Sequence, residues 1–303
     1  MVRSHLADGV PEVTTVEELA EELDDEHVVL ATDTRVAVAQ GVVVGASYTY
    51  HLPSEVREER CYVFGWVDPV HRGLGVGSML LEWGLARAAE QLRSTRRDLP
   101  LRLRVNAPAT ADDAHRLFED HGLRPVRWFE TLLRPTTPPL LHRVPDGVHL
   151  APWPDDRDDE IRDMKNRAFA DHWGSTPTDP SHWHQMVRGH GSRPDLSFIA
   201  LDDEQRVVAL CVNKRFPDDD AVTGRTEGCI TTLGTLSGWR GRGVASALLA
   251  RSLQAFHDAG LSHALIEVDG ESPTGAGRLY RSLGFEPLRG TVTHEVTLSD
   301  TLP

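Results

Sequence analysis

The hydrophobic pattern of the chain changes period at two places in the same way. At 60–67 and at 226–236 an apolar run reads as a strand, and each run passes through an Arg-Gly-x-Gly turn into a segment with helical spacing. In the second case Ala247, Leu248, Leu249 and Leu253 form the apolar face. The pattern predicts a first helix at about 15–24, strands near 28–33, 36–50 and 60–67, a helix near 75–92 and a strand at 101–106. In that strand Leu101, Leu103 and Val105 alternate with arginines. Further on it predicts strands near 197–202, 206–215, 226–236 and 262–269, with a helix near 243–259.

The repetition extends beyond the turn. VDPVHRGLGVGSMLLEWGLARA at 67–88 answers LSGWRGRGVASALLARSLQAF at 236–256, and LFEDHGL at 117–123 answers LYRSLGF at 279–285. Arg72 and Arg240 stand 168 residues apart, Gly122 and Gly284 162 apart, so two signals recur in one order at nearly one offset. This implies a duplicated α/β (or α+β) domain. The segment RPTTPPLLHRVPDG at 134–147 holds four prolines and reads as the connection. The expected division is 1–138, a Pro-rich linker 139–147, and 148–303.

Length and charge narrow the function. A chain of 303 residues, 40% hydrophobic and 26% charged, has room for two cores and is neither disordered nor a membrane bundle. A net charge of -14 repels phosphate backbones and anionic lipid, so neither nucleic acid nor a membrane is expected as partner. Cys61, Cys211 and Cys229 form no CxxC pair, which argues against a disulfide framework and a cysteine-based zinc site. With no apolar leader after Met1, a reducing cytoplasm is expected.

The turn itself offers chemistry. Arg240, Gly241, Arg242, Gly243, Val244 and Ala245 lead from strand to helix, as do Arg72, Gly73, Leu74, Gly75, Val76 and Gly77. At a helix start, unpaired amides and the macrodipole favour an anion, and glycine lets a phosphate come close. A nucleoside-triphosphate loop would need Gly-Lys-Ser/Thr, yet neither Lys165 nor Lys214 follows a glycine. A dinucleotide fingerprint would need GxGxxG after a first strand, whereas Gly73, Gly75 and Gly77 run GxGxG several strands into the domain.

The pattern Arg-x-x-Gly-x-Gly/Ala, with LYRSLGF downstream, resembles the acyl-CoA pyrophosphate loop and late helix of the GNAT N-acetyltransferase superfamily. The likeness spans about residues 28–134 and 147–298, and its tandem form is similar to that of the mycothiol synthases. The resemblance implies two GNAT-like domains, each a mixed, mostly antiparallel sheet flanked by helices, with a splayed central strand pair. It also implies acetyl-CoA as co-substrate, no metal, and direct transfer to a primary amine. Backbone groups of Leu233, Gly234 and Thr235, and of Gly65, Trp66 and Val67 in the first copy, would align the pantetheine arm and polarise the thioester. Tyr280 stands where the family keeps its general acid, and Glu227 is the candidate base, with Cys229 where many relatives carry glutamate. Phe118 replaces Tyr280 in the first copy and has no proton to give, so the working site is expected in the C-terminal half.

The acceptor is expected against 166–190, where Phe169, His172, Trp173, Trp183 and His184 offer either a pocket wall or core. His172, His182, His184 and His190 match no metal-site spacing. Arg93, Arg96, Arg97, Arg102 and Arg104 read as a solvated face, with a CoA 3′-phosphate contact as the other reading, and the acidic runs at 155–160 and 218–220 read as helix starts and turns. The expected activity is acetylation of a small-molecule amine by a monomer or homodimer. The alternatives are acetylation of a protein or peptide amine, and an acetyl-CoA sensor without turnover.

Overall fold

The computed structural model describes residues 1–54, 56–95, 98–271 and 275–298. Its compact units do not follow a single cut near residue 140: one contains Met1–Trp128 and the chain from Gly290 onward, the other Phe129–Arg289. The cause is the last strand of each sheet, which comes from a distant part of the chain.

The first unit begins with three helices, α1 (Val2–Ala7), α2 (Val16–Leu23) and α3 (Leu30–Asp33). Thr15 and Glu18 start α2 with a reciprocal capping box. A strand was expected at 28–33, but the buried Asp33 carboxylate accepts from Val29 N–H at 2.8 Å and Arg87 Nε at 2.7 Å, which curls the chain into α3. The hairpin of β1 (Thr34–Ala39) and β2 (Val42–Leu52) therefore lies later than predicted. Its turn is Gln40-Gly41, with φ of 51° and 79°, the left-handed pair a two-residue hairpin needs. Then come β3 (Glu59–Val67), α4 (Val76–Ser94), β4 (Leu101–Pro108), α5 (Asp112–Asp120) and the start of β5 (Arg124–Pro135). Cys61, Val63, Leu103 and Val105 pack with Leu81, Ala88 and Leu92 of α4 as the core. The sheet closes with residues 291–298, antiparallel to β4.

The second unit contains β6 (His149–Pro152), α6 (Asp158–Ala168), α7 (Pro180–Arg188), β7 (Phe198–Leu201), β8 (Val207–Arg215), α8 (Asp220–Thr223), β9 (Glu227–Thr235), α9 (Val244–Asp258), β10 (His263–Asp269), α10 (Ala276–Ser282) and the start of β11 (Glu286–Leu298). Phe129–Pro135 of β5 completes its sheet beside β10. Both sheet faces are covered. Ile161, Met164 and Ala168 of α6 meet Ile199, Leu210 and Val212 on one side; Leu248, Leu249, Leu253 and Phe256 of α9 meet Cys211, Ile230 and Ile266 on the other. Fully burying a side chain of this size is worth about 1.5–3 kcal/mol, so α9 is the main prop of the sheet. Helix α6 has Asp158, Asp159 and Glu160 in its first turn and Lys165 and Arg167 near its end, matching its dipole.

Each unit is a mixed, mostly antiparallel sheet with one parallel pair, and that pair parts. Strand β9 pairs with β10 only over Glu227–Ile230 and His263–Ile266. Beyond that, β9 stays on β8 up to Thr235 and β10 stays on β5 up to Asp269, opening a gap between them. In the first unit β3 and β4 likewise part after Tyr62 and Arg104. Only β9 bulges at the fork: Val212 pairs with Thr232 and Asn213 with Ile230, leaving Thr231 as the extra residue, whereas β3 runs on β2 without a shift. No helix among the described residues is long and apolar enough to cross a membrane.

Candidate active site

The expected turn lies at the mouth of the fork. Gly241 and Gly243 have φ of 73° and 88°, a conformation costly for other residues, and Gly243 is the N-cap of α9. No side chain caps α9; its first backbone bond runs from Ala247 N–H to the Gly243 carbonyl. Among the described residues the amides of Gly241 to Ser246 have no acceptor, which leaves a row of donors facing the same end as the strand gap. At the end of β9, Thr235 Oγ1 is buried with no hydrogen-bond partner among the described residues. Gly73 and Gly75 repeat the turn in the first unit, with φ of 72° and 83°, and Gly75 caps α4.

The arginine of the motif does not face this cradle. Arg240 folds back: Nε donates to the Thr235 carbonyl at 3.2 Å, Nη2 to the Ala168 carbonyl at 2.6 Å, and Nη1 and Nη2 grip Asp171 at 2.5 and 3.0 Å. The contact holds the Asp171 carboxyl below its ordinary range. Arg72 does the same, from Nε to the Val67 carbonyl at 3.3 Å and from Nη1 and Nη2 to Asp8 at 2.6 and 2.9 Å. The guanidinium left at the C-terminal turn is that of Arg242, lying 5.0 Å over the Trp239 ring, where the first copy has exposed Leu74.

Tyr280 lies in α10 with its ring in the α9-side core, 6.0 Å from Phe285. Burial, with the Cys211 thiol adding to it, pushes its phenol above the usual value. Cys211 is itself pushed up to about 12 by burial, so it is an inert thiol. Glu227 is buried at the closed end of the fork, opposite His263, with Oε1 2.6 Å from Arg225 Nε. It does not meet Tyr280. Gly228 rests on the Phe256 ring of α9, so Glu227 points to the other face, three rungs before the strands part. Cys229 shares that face and is half-buried. A carboxylate missed by the sequence reading is Glu267, exposed on β10 one residue beyond the last paired rung. Between the core residues Ile266 and Val268, strand alternation turns it away from α9. Its signal was an acidic residue interrupting the apolar run ALIEVD.

Of the expected acceptor wall, Trp183 is core, beside Trp153 at 6.2 Å. The rings of Phe169 and His172 lie 4.7 Å apart, tilted at 47°, and Trp173 lies 6.3 Å from Phe129. Phe169 sits on the backbone of Gly234: an added Cβ there would fall 2.6 Å from its Cε2. His184 is exposed, and the four histidines form no ligand cluster among the described residues. The Pro-rich segment is not a free spacer. Leu140 packs on the core, Arg134 donates to the carbonyls of Leu283, Pro135 and Pro138, and His142 stands over Gly243, its Cε1 3.1 Å from an added Cβ.

The arginine patch corrects the sequence reading. Arg104 is 1% exposed and pairs with Glu58 and Glu295, so it is not a solvated charge, and the half-buried Arg102 pairs with Glu295 at 3.0 Å, so both guanidiniums are already engaged by carboxylates. Arg93 is exposed; Arg96 and Arg97 lie outside the described residues. Phe118 packs edge-on against His294 at 5.3 Å. Asp158, Asp159 and Glu160 start α6, and Asp218 to Asp220 form a turn into α8.

The model of the acetyltransferase (GNAT) family matches residues 4–122 and 158–285. A mycothiol acetyltransferase of Beutenbergia cavernae is 28% identical over 304 residues, 94% of this chain and 90% of that protein. One of Nocardiopsis dassonvillei is 29% identical over 240 residues, 72% and 69%. A GCN5-related N-acetyltransferase from Sphaerobacter thermophilus superposes with a TM-score of 0.75 at 26% identity, covering 98% of this chain and 90% of that one. A tandem GNAT protein from the clavulanic acid biosynthesis pathway has a TM-score of 0.69 at 15% identity over 99% and 94%, a likeness of fold. Since the matched regions include both glycine turns, both forks and the late helix, the chain belongs to the acetyltransferase (GNAT) family and is an N-acetyltransferase of tandem construction.

Proposed function

We propose that the protein moves an acetyl group from acetyl-CoA to a primary amine of a small molecule, by direct transfer in its C-terminal unit. The observation that carries the reading is the row of acceptor-less amides from Gly241 to Ser246 at the open end of the β9/β10 fork. Such a row suits a pyrophosphate, with Arg242 as its nearby cation and the orphaned Thr235 hydroxyl as a further donor. The pantetheine arm would follow Leu233, Gly234 and Thr235 into the gap.

The amine nitrogen attacks the thioester carbon; the N–C bond forms and the C–S bond breaks. Tyr280, in the late helix α10, is the candidate acid for the departing thiolate, its phenol being protonated at neutral pH as any tyrosine's is. The amine must lose a proton. Glu227, held by Arg225 at the closed end, is badly situated for this, and Glu267 on the open side is the better candidate, directly or through water. Phe169, His172 and Trp173 would wall the acceptor. That relatives are named mycothiol acetyltransferase supports a small-molecule acceptor over a protein one. The first unit repeats the cradle at Gly73 to Gly77 after the strand end Gly65 to Val67, but has Phe118 for Tyr280 and no bulge, which fits a binding or structural copy.

The test is a panel of a cysteinyl-glucosaminyl-inositol, an aminoglycoside, a polyamine and an amino acid, assayed for CoA thiol release, with calorimetric titration of acetyl-CoA. Turnover of one amine that Glu267→Gln slows by about 10²-fold supports the assignment. No binding of acetyl-CoA at millimolar concentration would overturn it.

A further inference from the structure

We infer that Arg240 is a positioning residue: with Asp171 it fastens the segment after α6 to the end of β9, and so sets where the acceptor amine meets the thioester. The inference rests on the acetyl-transfer reading. A phosphate-binding arginine would present its fork to the cradle, but this one has spent it on three anchors: the strand-end carbonyl of Thr235, the helix-end carbonyl of Ala168, and the carboxylate of Asp171 in bidentate geometry. What lies between the last two anchors matters. Phe169 falls between Ala168 and Asp171, with its ring on the Gly234 backbone and against His172. The clamp therefore fixes the aromatic wall against the strand that would align the thioester.

The first copy supplies an independent instance. Arg72 again reaches the carbonyl five residues before it, Val67, together with the Ser4 carbonyl at 3.4 Å in α1 and the Asp8 carboxylate just past that helix. The sequences VRSHLA and DDEIRDMKNRA share no evident pattern, yet each ends in this grip. A motif arginine used twice in the same way, and neither time toward the cradle, is a device for joining the first helix to the turn.

Full-length Asp171→Asn, Arg240→Met, their double variant and Asp171→Glu separate this role from phosphate binding. We expect acetyl-CoA affinity by calorimetry to change by less than about threefold in all, since the amide row is untouched. The KM for the panel amine turned over fastest, or its kcat, should worsen by about ten- to a hundredfold in Asp171→Asn and Arg240→Met. The double variant should be no worse than either single one, and Asp171→Glu should recover part of the loss. Backbone hydrogen exchange over residues 169–178 should quicken by about tenfold or more in both single variants. A tenfold loss of acetyl-CoA affinity in Arg240→Met alone would make the arginine a phosphate ligand and overturn the inference, as would unchanged exchange over 169–178. If the wild-type chain ignores acetyl-CoA, the functional reading fails on its own, while the exchange data still decide the clamp.

Discussion

A single methyl group at position 234 tests how tightly the wall is set. In Gly234→Ala the new Cβ would lie 2.6 Å from Phe169 Cε2, 3.4 Å from Cδ2 and 3.5 Å from the Ala168 Cβ. Carbon atoms in contact prefer about 3.5–4.0 Å, so the ring must retreat by roughly 1 Å. The strand is hard to shift because Gly234 is paired with Leu210 in the middle of the sheet. The ring is also held, since Arg240 grips the chain on both sides of it. Overpacking of this kind costs about 1–3 kcal/mol, or roughly five- to a hundredfold in the folding equilibrium. The assay is urea unfolding followed by tryptophan fluorescence, with amine KM measured alongside. Gly238→Ala is the control: nothing lies within 4 Å of its Cβ, and it should change neither quantity. Adding Phe169→Leu to Gly234→Ala should recover part of the stability. If Gly234→Ala is as stable and as active as Gly238→Ala, Phe169 is not seated as described.

Tyr280→Phe should lower acetyl transfer by about 10²-fold or more while leaving acetyl-CoA affinity unchanged, measured by thiol release and calorimetry. Gly243→Ala should weaken acetyl-CoA binding, because an alanine at φ of 88° costs about 1–2 kcal/mol and its methyl meets His142; His142→Ala in the same chain should restore part of the affinity. His294 is buried beside His115, and burial, with that neighbour adding to it, holds its pKa below the ordinary value. A depressed histidine contributes stability that is full above about pH 6.5 and is lost as the pH falls from there through the folded value. Denaturation of the first unit should therefore come earlier at pH 5 than at pH 7, and His294→Phe should reduce that difference; an equal pH dependence in the variant would exclude the histidine.

The duplication, the turns and the long helices were legible because each is written in consecutive residues: a glycine pair at a fixed spacing, then apolar positions at helical period. The parts that escaped depend on distant or single residues. The exchange of β5 and β11 between sheets cannot be read from their own alternation, which specifies a strand but not its neighbour. The Thr231 bulge is one extra residue inside the apolar run CITTLGTL, and it reverses the face of everything before it. That is why Cys61 is core while Cys229, 168 residues later, is not in its unit's core cluster. The ion pair of Glu227 escaped for a related reason, since spacing does not show that Arg225, two residues before it, takes up its carboxylate. The α3 turn depended on Arg87, 54 residues beyond Asp33.

The two copies separate what the fold needs from what the chemistry needs. Both keep the left-handed glycine pair, the uncapped helix start, the parted strands and the folded-back arginine. All of these act through the backbone or hold the first helix to the turn, so a copy that performed no reaction would still lose stability without them. The differences concern the reacting groups. The C-terminal copy has a bulge at the fork, Arg242 at the turn and a buried phenol in the late helix, where the other has an even strand, Leu74 and Phe118. The first copy instead has Arg104 buried at its fork between Glu58 and Glu295, where an intact ion pair is inexpensive but a broken one leaves a buried charge. We therefore propose that the retained motif of the first copy serves binding or structure, with catalysis where the bulge and the phenol occur together.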